Sequence, residues 1–110
     1  MAAAYVNLYM EQGTTFSSVI TLDDLNGSAY NLTGYTANSQ MRKSFYSSNA
    51  TATFTTSITP ATGTITLSLT SAQTANITPG RYLYDTIITT SGVVTRVLEG
   101  VVDVSPRVTR

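Results

Sequence analysis

Along most of the chain apolar and polar residues alternate one by one, the period of a strand with one buried face. Val6, Leu8 and Met10 mark one face of a first strand over Tyr5 to Glu11. Phe16, Ser18, Ile20 and Leu22 mark the second, and Tyr35, Ala37, Ser39 and Met41 a later one. Ala52, Phe54, Thr56 and Ile58 continue the pattern, followed by Ile65, Leu67 and Leu69. Tyr82, Tyr84, Thr86 and Ile88 then face Leu98, Val102 and Val104 across a final hairpin around Thr90-Ser91-Gly92. Turn residues punctuate these runs, among them Gln12-Gly13, Asp23 to Gly27, Thr33-Gly34 and Thr59 to Gly63. Ala29 to Leu32 reads as a short extended piece, and Ser44 to Ala50 as an exposed loop.

One helical turn interrupts the strands. Thr70-Ser71-Ala72-Gln73 has the spacing of a capping box, in which hydroxyl and amide side chains satisfy each other's backbone N–H groups. So short a turn depends on packing, expected through Ala75 and Ile77. The predicted fold is all-β: an immunoglobulin-like antiparallel β-sandwich of about seven strands with one short helical turn. A partly closed barrel is the alternative. Tyr82 follows the helical turn and Gly80, the layout of a tyrosine corner, although a plain core tyrosine fits the spacing equally. The expected core is Phe16, Ile20, Leu22, Phe54, Ile65, Leu67, Tyr82, Tyr84, Ile88, Leu98 and Val102. Gly100, in the last strand, leaves room for a tyrosine ring from the strand opposite.

Length agrees with one domain over residues 1–110, with extended segments at 1–4 and 105–110. Six Lys/Arg balance six Asp/Glu, and only 11% of residues are charged. Without a basic excess, nucleic acid is not an expected partner. No apolar run approaches the roughly 20 residues of a membrane span, and the N-terminus does not read as a signal peptide. Four Asn-x-Ser/Thr sequons, at Asn26, Asn31, Asn49 and Asn76, carry little weight without one. Serine and threonine supply the polar surface that charge does not, and so little charge also suits a subunit held in permanent contacts.

Chemistry is sparse. There is no cysteine and no histidine, which excludes Ser-His and Cys-His nucleophile pairs and ordinary zinc sites. Asp85 and Glu99 approach each other in one register of the last hairpin, but opposed like charges disfavour that register. Each is therefore expected as an exposed strand residue beside Arg81, Arg96 or water. Asp23, Asp24 and Asn26 offer oxygens to calcium without EF-hand spacing, and an ordinary turn is the expectation. Seven tyrosines allow a sugar-stacking platform, with core and interface use the plainer reading. No catalytic residue, cofactor or metal is expected.

The order of several short phrases resembles small structural proteins of tailed bacteriophages, cyanophages in particular. These phrases are Val6 to Phe16 (VNLYMEQGTTF), Asn31 to Ala37 with Gln40 to Lys43, Gly80 to Asp85, and Thr95 to Gly100 followed by Val102, Val104, Ser105 and Pro106. A more distant similarity is to the N-terminal β-sandwich of phage upper-baseplate proteins. The resemblance implies a non-enzymatic virion protein that joins subunits in the tail, baseplate, neck or fibre apparatus. Its partners would be other virion proteins and further copies of itself. A capsid decoration protein and a glycan-binding host-attachment module are the alternatives. The residues expected to carry contacts are Pro106, Arg107, Val108 and Arg110, in a tail where proline forbids a regular ladder. The alternative for these residues is a disordered terminus.

Overall fold

The computed structural model describes residues 4–22, 31–44, 46–47 and 49–108. The described strands are β1 (Ala4–Tyr5), β2 (Leu8–Glu11), β3 (Phe16–Thr21), β4 (Thr36–Arg42), β5 (Ala52–Thr53), β6 (Thr55–Thr59), β7 (Thr64–Leu69), β8 (Gly80–Thr90) and β9 (Val93–Ser105). One helix, α1 (Ser71–Ala75), and a 3-10 turn at Pro60–Thr62 complete them. They form two sheets. The larger has the order β1-β9-β8-β4-β5, with β2 also on β9, and the smaller has the order β3-β7-β6. The architecture is an immunoglobulin-like β-sandwich. Two of the strands expected to be continuous are interrupted, at Val6-Asn7 and at Phe54. Ala4 and Ser105, expected outside the sheets, each pair within the larger one.

Alternation places the core between the sheets. Of the expected core, Ile20 is half-buried against it and the rest are buried, joined by Leu8, Met10, Leu32, Met41, Leu69, Ile77, Val97 and Val104. Phe54 bridges the layers, with ring centroids 5.8 Å from Phe16 and 6.3 Å from Tyr84, the latter edge-to-face. It also marks where the chain changes sheets: β5 pairs with β4, β6 with β7, and the Phe54 amide donates to the Ser39 carbonyl at 2.9 Å. The buried Ser39 and Thr86 hydroxyls of the larger sheet are linked in a chain. Thr86 Oγ1 donates to Ser39 Oγ at 3.0 Å, and Ser39 Oγ to the Asp85 carbonyl at 2.7 Å.

The last hairpin closes through Ser91 and Gly92, both with positive φ, which suits the right-handed twist of the flanking strands. A register shift between Thr86 and Ile87 lets β9 bury the adjacent residues Val97 and Leu98 together. Strict alternation from the sequence predicted only Leu98.

The capping box forms as expected, with Gln73 N donating to Thr70 Oγ1 at 3.2 Å and Thr70 N to Gln73 Oε1 at 2.8 Å. The docking residue differs: Ala75 is exposed, and the buried residues are Thr74 of α1 and Ile77 just beyond its end. The turn continues past the end of α1, with the Ile77 amide donating to the Thr74 carbonyl at 3.1 Å, which puts Thr74 rather than Ala75 in line with Ile77. The Thr74 hydroxyl stays satisfied by donating to the Thr14 carbonyl at 2.7 Å. Tyr82 completes the tyrosine corner, its hydroxyl donating to the Thr78 carbonyl at 2.5 Å. Lys43 Nζ lies 4.9 Å from the centre of its ring.

The interruption between β1 and β2 follows from the same hairpin. Both pair with β9 in parallel, in one register, so an unbroken ladder would send the Val101 amide to the Val6 carbonyl. That carbonyl instead accepts the Tyr84 hydroxyl at 2.6 Å, and the Val101 amide donates to Asn7 Oδ1 at 3.3 Å. Gly100 makes this possible. A Cβ there would collide with the Val6 carbonyl oxygen and press on the Tyr84 ring. Burial, and to a lesser degree Tyr5, raises the Tyr84 phenol from 10.0 to about 12.

Candidate interaction surfaces

The outer face of the larger sheet carries the charge. Side chains of directly paired residues leave a sheet on the same side, so registry defines rows across it. One row runs Tyr9, Asp103, Arg81, and the next through Asn7, Val101, Leu83 and Arg42. A third runs Tyr5, Glu99, Asp85, Gln40, Thr53. Arg81 Nε lies 3.1 Å from Asp103 Oδ1, and Arg96 Nη1 lies 3.6 Å from Glu99 Oε2. Tyr5 and Tyr9 are 65% and 72% exposed at the edge of this face and take no part in the core.

Asp85 and Glu99 are direct partners, contrary to the expectation that repulsion would exclude this register. The magnitudes explain it. Two like charges a few ångströms apart in water repel by only about 1 kcal/mol. Moving the register by one residue would turn the tyrosine face of β8 out of the core, at a cost of several buried side chains. Arg96 beside Glu99 offsets the repulsion further. The pair lies on the outer face of the larger sheet, Asp85 exposed and Glu99 half-buried. Two depressions of about 150 and 220 Å³ flank Gln40 and Asp85, below the size of ordinary ligand pockets. Among the described residues no group of three or more carboxylates lies together as a metal site would need. Asp23, Asp24 and Asn26 lie outside the described residues.

The predicted contact residues Pro106, Arg107 and Val108 leave the end of β9 on the surface, all three exposed. They turn toward the start of the chain. Gln12 N donates to the Ser105 carbonyl at 2.9 Å, and Arg107 Nη1 reaches the Gly13 carbonyl at 3.5 Å, long for a hydrogen bond. With Glu11, Gln12 and Thr14 they wall an open depression of about 580 Å³. Val108 is 94% exposed beside it. Arg110 lies outside the described residues. Sequence reasoning did not single out Tyr5 and Tyr9, whose opposite phase to Val6, Leu8 and Met10 was the available signal.

No family model matches the chain, and no curated protein matches it. Among solved structures, it is similar to the crystal structure of Listeria monocytogenes InlP, with a TM-score of 0.50 and 14% identity over 94% of this chain. The chain spans 28% of that protein's length. It is also similar to the crystal structure of the Lin-41 filamin domain, with a TM-score of 0.43 and 17% identity, covering 88% of this chain and 82% of that one. At these identities the likeness to the Listeria protein is one of fold alone.

Proposed function

We propose that the chain is a non-enzymatic structural subunit of a tailed-phage virion, joining neighbours in the tail, baseplate, neck or fibre apparatus. The observation that carries this reading is the segment Pro106–Val108, which ends the last strand with an almost fully exposed valine beside an open depression. Together the depression and the valine at its rim offer a concave surface that a partner segment could fill. The phrase order from Val6 to Pro106 supplies the class of partner, other virion proteins. Low charge supports close packing against them. The test is deletion of residues 106–110, followed by incorporation into particles and thermal unfolding of the free domain. Loss from particles with an unchanged unfolding midpoint is expected; normal incorporation, or absence of the intact chain from purified particles, overturns the reading.

A second reading, a glycan-binding attachment module, draws on the exposed Tyr5 and Tyr9 beside Asn7. Aromatic rings at an exposed sheet edge suit stacking on sugar faces. A glycan array with the wild-type chain and Tyr9→Ala separates the two, since an assembly subunit should bind no glycan.

A further inference from the structure

We infer that β3 is a self-pairing edge, along which a second copy of this chain adds its own β3 in antiparallel register. Natural sheets protect their edges with lysine, proline, bulges or covering segments. β3 (Phe-Ser-Ser-Val-Ile-Thr) contains no charge and no proline, and its pairing with β7 is regular throughout.

The direction of its free hydrogen-bonding groups follows from the ladder. Leu22 N donates to the Gly63 carbonyl at 2.8 Å, which extends the β3–β7 register by one hydrogen-bonded pair. Hydrogen-bonded pairs alternate, so Ile20, Ser18 and Phe16 also bond to β7. The amides and carbonyls of Ser17, Val19 and Thr21 therefore point away from β7, to a side where no strand pairs among the described residues. The side chains of the same three residues are exposed on the outer face, Val19 at 64%.

The other edges among the described residues are interrupted or engaged. β1 and β2 are broken where Asn7 reaches across to Val101. β5 has two residues. β6 leans on β4, with Thr56 Oγ1 donating to the Ala37 carbonyl at 2.9 Å, and runs into Pro60.

The occupant is a copy of the chain because the edge is complementary to itself. A two-fold axis at Val19 sets Val19 against Val19 of the second copy and Ser17 against its Thr21. Each of these is then a hydrogen-bonded pair, exchanging two N–H···O=C bonds. The central side chains make an apolar contact flanked by hydroxyls. No residue of β3, β7 or β6 is charged, so nothing on the smaller sheet repels its twin. The product is a continuous sheet of six strands, β6-β7-β3 with its two-fold mate.

This inference concerns the isolated chain and stands apart from the virion reading: dimers without incorporation would sink that reading alone. Sedimentation of the full chain from about 1 to 500 µM should show a monomer–dimer equilibrium. Val19→Lys places two like charges across the axis and should weaken association by about tenfold or more at low salt, with the dilute unfolding midpoint unchanged. The chain has no cysteine, so Val19→Cys is a clean second probe. Cα atoms of a hydrogen-bonded pair lie about 5.5 Å apart, within disulfide range. Oxidation should link Val19→Cys into dimers well before Ser57→Cys, a control on the exposed face of β6. A wild-type chain monomeric throughout, undiminished association of Val19→Lys, or equal cross-linking of the two cysteine variants overturns the proposal.

Discussion

The two sheets bury similar side chains and meet water in opposite ways. On the larger sheet the outer face is ordered by charge, with Arg81 against Asp103 and Arg96 against Glu99. On the smaller sheet the outward rows are Ser17-Ser68-Thr55, Val19-Thr66-Ser57 and Thr21-Thr64-Thr59: eight hydroxyl residues, one valine and no charge. All nine charged residues among those described lie in the larger sheet or the segments joined to it. The difference teaches that solubility and strand formation need not come from the same residues. Threonine does both at once, because its branched Cβ favours extended backbone and its hydroxyl is solvated. A sheet made this way is wetted without acquiring the charge that would keep a copy of itself away.

The comparison breaks most readily in the core. Leu67, fully buried on the central strand of the smaller sheet, is the sharpest probe of its alternation. Leu67→Ala should cost about 2–5 kcal/mol, read as a lower urea midpoint at unchanged slope. An unchanged midpoint would mean that the smaller sheet does not bury this face.

Alkali should act through the larger sheet. The Tyr84 phenol is raised from 10.0 unfolded to about 12 folded, so the folded state holds its proton longer. Its contribution is complete below pH 10 and is lost as pH rises toward 12, on the order of 2–3 kcal/mol. Tyr84→Phe should flatten that part of the stability–pH curve, and it leaves the Val6 carbonyl without its donor at a cost of about 1–3 kcal/mol. An identical alkaline slope in the variant would remove Tyr84 as its source.

Gly100→Ala tests the same junction by steric means. Its Cβ meets backbone, which cannot rotate away, so a loss of about 1–3 kcal/mol or more is expected. Hydrogen exchange should rise first at Val6 and Val101, the two amides nearest the break. Exchange rising first in β7 would show that the two sheets are not independent in this respect.

The smallest effects are expected on the outer faces. Arg81 and Asp103 are 74% and 39% exposed at their side chains, so Arg81→Ala should change stability by less than about 1 kcal/mol, and less still in high salt. Thr66→Ser on the smaller sheet should stay within about 0.5 kcal/mol. A larger loss at Thr66 than at Arg81 would mean that the hydroxyl face is stabilising beyond solvation.

Much of this was legible from residue order alone. Alternation located the strands and all but a few of the buried residues, the spacing of Thr70 and Gln73 gave the capping box, and Tyr82 after Gly80 gave the corner. These are local patterns, set by strand and helix periods within one segment. The candidate contact residues were legible only as a proline-bearing tail; that Arg107 turns back to Gly13 needed the fold.

What the sequence by itself determined is therefore the fold class and the inward face of nearly every strand, because those depend on periods of two and on turn chemistry. The tertiary structure decided what depends on pairs of distant segments. Residue order gives no sign that the first strands run parallel to the last, that the chain changes sheets at Phe54, or that Val97 joins Leu98 in the core. Nor could it show that Asp85 faces Glu99. For Asp85 and Glu99 a local repulsion of about 1 kcal/mol was overruled by the burial of several large side chains at once, and that sum is known only when the partners are in place.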